Sequence, residues 1–253
     1  MAIGQWVPLV LLALVCEYVD STLGMGYGTT LTPVLLLLGF EPVEIVPSVL
    51  LSEFLTGILA GVLHHEFGNV DFRPGSRAFK VVLVLAACSI VGTVAAVFAA
   101  VNLPAWVIKA YIGVVVLAMG ISILATMNRT FPFSWKKVVG LGLVAAVNKG
   151  LSGGGYGPLV CGGQILAGVD AKGAIGITSL AEGLVCIVGV ITYVLTGGGA
   201  IDWGLAPVLS VGALLSVPLA ALTVKRVSLP RMRWAVGSAV TALGLFTLSR
   251  LVI

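Results

Sequence analysis

The sequence predicts an all-α polytopic membrane protein made of two inverted repeats, each a glycine-broken re-entrant hairpin followed by three transmembrane helices. Three observations carry that expectation. First, 59% of the 253 residues are hydrophobic and only 9% are charged, against about 25% charged in soluble domains, and the mean hydropathy is +1.15. Second, a shift of 129 residues, from 27 to 156, places Tyr27 on Tyr156, Gly39 on Gly168, Glu41 on Asp170 and Glu53 on Glu182 without a gap. Third, the basic residues divide very unevenly between the two sides of the membrane once both broken segments are folded back on themselves.

A bilayer core about 30 Å thick needs roughly 20 apolar residues per helix. The first repeat, 1–128, opens with the apolar segment 6–38, which is too long for one straight helix and is interrupted at Gly24-Met25-Gly26-Tyr27-Gly28. Crossings follow at 45–63, 78–101 and 104–125. The second repeat, 129–253, opens with 138–168, interrupted at Gly153-Gly154-Gly155-Tyr156-Gly157, and continues with crossings at 173–196, 203–224 and 232–253. Glycine density of this kind breaks a helix by removing its conformational bias. Farther along, Asp71-Phe72 meets Asp202-Trp203 and Leu103-Pro104 meets Leu229-Pro230, so the repeat spans both halves.

Lys and Arg concentrate in cytoplasmic loops. With 138–168 turned back, Arg73, Arg77, Lys80, Arg129, Lys136, Lys137, Lys172, Lys225, Arg226, Arg231 and Arg233 share one side and only Lys109 and Arg250 lie opposite, a split of eleven to two. With that segment crossing, the split is seven to six, Lys149 being set aside in both counts as intramembrane. Re-entry of the first segment follows from the repeat alone, because no Lys or Arg precedes Arg73. Three crossings per unit then leave the units upside down relative to each other, a plan that recurs in secondary transporters, whose substrate site lies near the midplane where broken helices meet. The basic loops are expected in the cytoplasm and both termini outside it, in a multi-pass protein of the cell inner membrane. The N-terminus lacks the positive region of a signal peptide and is expected to stay in the mature protein.

Non-helical backbone at membrane depth needs protein or a water-filled cavity around it, so the two glycine tips predict a cavity. Half-helices restarting at about Thr29 and Pro158 turn their free N–H groups and positive dipole ends toward it, which favours an anion. The expected substrate site comprises Gly24, Gly26, Tyr27, Gly28, Thr29, Thr30, Lys149, Ser152, Gly153, Gly154, Gly155 and Tyr156. The competing structural explanation is that the glycines only allow close helix packing. Lys149 and Asp20 are equivalent at the 129-residue shift and sit in apolar stretches, where an ionisable residue is by default a functional one. Lys149 can pair with Asp20 or act as counter-charge to an anion. Glu53 and Glu182, mid-crossing, can carry a coupled proton together with Asp20, with Ser52, Thr56, Thr178 and Ser179 as a polar wall; Asn148 and Gln164 are weaker candidates.

His64 and His65 end a crossing on the basic side, where histidine, titrating near neutral pH, can serve as a gate or as an interfacial cap. Cys16, Cys88, Cys161 and Cys186 lie singly in apolar stretches and read as packing residues, Cys161 alone standing just past a break. Neither a metal site nor a cofactor is expected, and no Walker A loop, G-x-S-x-G elbow or H-E-x-x-H motif is present, so neither an ATP-driven pump nor an enzyme is expected. The expected partners are a small anionic substrate, the lipid bilayer, protons as coupling ion, with the membrane potential as the alternative driving force, and a second copy of the chain in a homodimer, with no nucleic acid.

Leu23-Gly24-Met25-Gly26-Tyr27-Gly28 running into Pro33, Gly57 and Gly61, His64-His65 leading to Gly68-Asn69-Val70-Asp71, and Gly153–Gly157 resemble, in order and spacing, the sulfite exporter TauE/SafE group of bacterial and archaeal membrane permeases. The chain departs from many of those relatives at Gly26-Tyr27-Gly28, where they carry a run of glycines. The resemblance implies movement of sulfite, of sulfonates such as sulfoacetate or of related oxidised sulfur compounds, and it implicates both glycine breaks with Glu53 and Glu182. Some members are linked to sulfur or metal-enzyme biogenesis, which leaves a membrane assembly or sensing factor as the alternative to a transporter.

Overall fold

The computed structural model describes residues 3–125, 134–166, 169, 171–196 and 201–226, with 234, 238, 241–242, 244–246 and 248–249 beyond them. Among the described residues there is helix and no strand, and the protein is an all-α polytopic membrane protein. The elements are α1 Ile3–Leu23, α2 Tyr27–Leu37, α3 Pro42–Glu66, α4 Arg77–Asn102, α5 Ala105–Ala125, α6 Trp135–Ser152, α7 Tyr156–Leu166, α8 Ala171–Thr196 and α9 Ala206–Arg226. By length and composition α3, α4, α8 and α9, and α1 from Trp6, are long and apolar enough to cross a membrane. The expected crossing 232–253 lies mostly outside the described residues, as do Arg129, Gly168, Asp170, Arg231, Arg233 and Arg250. Its described members pack on α5, with Leu248 against Gly113, Leu117 against Gly244 and Thr241 against Gly120.

Local chemistry sets the helix ends. α3 starts in a reciprocal cap, the Glu44 carboxylate accepting from the Glu41 N–H at 2.9 Å, with Pro42 in the first turn. α4 is capped by Ser76, whose hydroxyl accepts from the Phe79 N–H at 3.1 Å. Glycines at positive φ stop α1 and α6 in the same way: Gly24 and Gly153 both stand at φ 69°. Their N–H groups donate to the carbonyls of Asp20 at 2.6 Å and Lys149 at 2.8 Å.

Helix directions follow from the contacts. Val10 meets Gly212 and Tyr18 bonds Thr223, so α1 runs alongside α9 in the same sense. Leu85 lies by Gly142 and Ala96 by Gly150, so α4 and α6 also run in parallel. Leu50 meets Gly189 and His64 meets Gly176, so α3 and α8 are antiparallel. They cross where Gly57 faces Gly183, close enough that a Cβ on Gly57 would lie 2.7 Å from the Gly183 Cα, a small-residue crossing of the kind membrane helices use.

Among the described residues, two of the four clusters of buried apolar residues match each other. One joins Ala13 of α1, Leu31 of α2, Val49 of α3 and Leu209 of α9; the other joins Ala145 of α6, Val160 of α7, Ile177 of α8 and Leu85 of α4. Each cluster therefore draws three consecutive helices from one half and one long helix from the other, so neither half completes its core alone.

Candidate functional site

The two breaks meet backbone to backbone. A Cβ on Gly28 would collide with the Gly153 carbonyl oxygen and lie 3.0 Å from the Gly154 Cα, and one on Gly157 would collide with the Gly24 carbonyl oxygen and lie 2.6 Å from the Met25 Cα. The partners, like the sites, are related by the 129-residue shift. Gly155 N–H donates across the junction to Thr29 Oγ1 at 3.1 Å, and the Cys161 thiol donates to the Leu23 carbonyl at 3.3 Å. Cys161 is therefore a clasp between the breaks as well as a packing residue.

α2 begins at Tyr27, two positions before the expected Thr29, because carboxylates take up its first N–H groups. Tyr27 N–H donates to Asp20 Oδ1 at 3.1 Å and Gly28 N–H to Glu53 Oε1 at 3.3 Å. The positive end of α2 thus holds acceptors that the protein itself supplies. In the second break, Gly154 N–H donates to Ser152 Oγ at 3.2 Å.

Lys149, fully buried, does not take Asp20 as its partner. Its ammonium lies between the two glutamates, in contact with Glu53 Oε2 and 2.7 Å from Glu182 Oε1. A lysine side chain is long enough to leave α6 and reach the place where α3 and α8 cross, whereas Asp20 is short and stays on the helix end beside it. Tyr27 Oη shares a 2.8 Å hydrogen bond with Ser52, while the equally buried Tyr156 hydroxyl has no partner among the described residues. The difference lies in one residue: the position equivalent to Ser52 is Ala181. Thr30 is only partly buried and its N–H donates to the Gly26 carbonyl at 2.9 Å, outside the charged cluster. Asn148 accepts from the Tyr111 hydroxyl, and Gln164 Nε2 donates to Thr178 Oγ1 at 3.1 Å.

Glu17, absent from the sequence expectations, joins this cluster. With Asp20, Glu53, Thr56, Gly57, Ser179 and Glu182 it lines a cavity of about 10 Å3, roughly the room one water molecule needs. A cavity of that size has no room for a larger anion in this conformation.

His64 is also fully buried. Asn69 Nδ2 donates to His64 Nδ1 at 3.0 Å and to the Ala221 carbonyl at 3.1 Å, and the remaining ring nitrogen, Nε2, lies 3.1 Å from the Ser21 carbonyl. With Nδ1 accepting, the ring is the Nε2–H tautomer, and it fastens the end of α3 to α1 and α9. His65 lies nearer the surface and accepts from the Phe72 N–H at 3.3 Å. Asn69→Ala is expected to lower stability by about 1–3 kcal/mol, since buried His64 Nδ1 is left without its donor; an unchanged melting temperature in detergent would show that this fastening contributes nothing.

Comparison with known proteins agrees with the architecture. A family model described as Sulfite exporter TauE/SafE matches residues 9–247. The Probable membrane transporter protein YtnM of Bacillus subtilis (strain 168) is 28% identical over 228 residues, which cover 85% of this chain and 73% of that protein.

Proposed function

Because the chain belongs to the sulfite exporter TauE/SafE family and is a membrane transporter, we propose that it moves sulfite, sulfoacetate or a related small sulfur oxyanion across the cell membrane, coupled to protons. We further infer that the two halves are inverted repeats with re-entrant hairpins at 6–38 and 138–168. The helix directions support this: α1 and α3 both start at the end of the molecule opposite Arg77, Lys80, Lys172 and Arg226, whereas α6 and α8 both start at that basic end. The basic end is cytoplasmic in this reading.

The observation that carries the substrate class is the pair of carboxylates on the first N–H groups of α2, beside a lysine held by two glutamates. A helix N-terminus and an ammonium are the groups that hold a small oxyanion. Here Asp20 and Glu53 occupy the N–H groups and Glu53 and Glu182 occupy Lys149. An incoming anion has to replace those carboxylates, and protonating the carboxylates makes the replacement electrically favourable. Anion entry and proton entry are thereby linked at one place. His64, which Asn69 ties to α9, acts with His65 as the gate on the basic side.

Proteoliposomes loaded with the purified protein are expected to accumulate radiolabelled sulfite or sulfoacetate, with a pH gradient increasing the rate. Flux no greater than in empty liposomes for any oxyanion would refute transport of this class and favour a binding or assembly role. Glu53→Gln and Glu182→Gln are expected to lose the stimulation by the gradient; parent-like pH dependence in both would remove them from the coupling.

A further inference from the structure

Among the described residues, four carboxylates, Glu17, Asp20, Glu53 and Glu182, share the cluster with the single cation Lys149. Fully ionised, they would leave a charge of −3 (four minus one) inside the membrane, where an uncompensated charge is strongly disfavoured. Their partners are unequal. Glu53 has Lys149, the Gly28 N–H and the Cys186 thiol, which donates to Oε2 at 3.8 Å; Glu182 has Lys149, and Asp20 has the Tyr27 N–H. Glu17 has only the neutral hydroxyl of Ser21, which donates to Oε1 at 2.6 Å. Its other oxygen, Oε2, is buried with no partner among the described residues, as is Glu182 Oε2, and both residues line the one-water cavity.

We propose that Glu17 is the resting proton carrier of this site, and that it passes its proton through a water in the cavity to Glu182, which then releases Lys149. The proton leaves Glu17 Oε2 for the water oxygen, and the water gives one of its own protons to Glu182 Oε2; no other bond changes. Glu182, now neutral, no longer holds the ammonium by charge, and Lys149 becomes free to face an anion. The ionisable groups around Glu17 are Cys16 and Asp20 on its own helix, Tyr27 from α2, Glu53 from α3, Lys149 from α6 and Glu182 from α8. α9 carries its charges, Lys225 and Arg226, only at its exposed end. Only the use of this relay in coupling rests on the transport reading; the proton on Glu17 does not.

Infrared spectra of the reconstituted protein at neutral pH are expected to show the carbonyl stretch of a protonated carboxylic acid, reduced or lost in Glu17→Gln. A full-strength band in Glu17→Gln, or none in the parent, would overturn the assignment. Should Glu17→Gln not fold, Ser21→Ala keeps the carboxyl and removes its hydroxyl partner, so the band must shift to higher frequency; an unmoved band is equally fatal. In proteoliposomes Glu17→Gln should abolish uptake driven by a pH gradient. Gradient-driven uptake retained in the variant would refute the relay. Sulfite failing to move even with the parent protein would instead sink the transport reading and leave the infrared result standing.

Discussion

Lys149→Ala is expected to lower stability by about 3–5 kcal/mol, the cost of leaving buried charges without their partner. Two carboxylates depend on this one ammonium, and all three groups are nearly or fully buried. The triple variant Lys149→Met, Glu53→Gln, Glu182→Gln should recover most of the loss, because replacing a whole buried ionic group by neutral side chains of similar size is close to neutral. Thermal unfolding of the purified variants in detergent measures both effects. A Lys149→Ala protein as stable as the parent would mean that the ion pairs are not formed in solution, and the proposed link between protons and anion would lose its basis.

The second large effect is expected at Gly28. An alanine there drives its methyl group into the Gly153 carbonyl oxygen and against the Gly154 backbone, and no rotamer change can relieve a clash with main chain. Overpacking costs about 1–3 kcal/mol where side chains can give way, and two backbones locked by their own helices give way less. Gly28→Ala, and Gly157→Ala at the equivalent contact, should lose both monodisperse protein after extraction and sulfite uptake. Gly140→Ala is the control, since a Cβ at Gly140 meets nothing within 4 Å; it should behave like the parent. Parent-like yield and uptake in Gly28→Ala would show that the breaks do not need to touch.

Much of this architecture can be read from residues alone, because membrane helices announce themselves by length and apolarity and the breaks by glycine. The shift that aligns Glu53 with Glu182 and Lys149 with Asp20 also located the charged cluster. It failed where the site departs from its own symmetry. Glu17 has no matched partner, since its counterpart is Ala146, and pairing across the repeat does not single it out. The available signal was helical spacing: Glu17 and Asp20 are three apart, which puts both on one face. The partner of Lys149 was also hidden, since equivalence along the chain says which residues occupy similar places and nothing about how far a four-carbon side chain reaches. The carboxylates on the α2 N–H groups come from different elements, and their meeting depends on packing that no local pattern encodes.

Ser52 and Ala181 are a small difference with a directional consequence. In the inverted-repeat carrier proposed above, two identical halves would be energetically level, spending as long open to one side as to the other. Here the first half secures its tyrosine with a buried hydrogen bond, and the Tyr156 hydroxyl of the second has no partner among the described residues. A motion that loosens α2 from α3 while tightening α7 on α8 gives up that bond and gains none in return. At about 1 kcal/mol for such a bond, the two orientations would differ roughly fivefold in occupancy. In the proposed carrier that one hydroxyl gives the empty protein a preferred resting side, and Ser52→Ala, which removes the bond, or Ala181→Ser, which supplies its counterpart, would each level that preference.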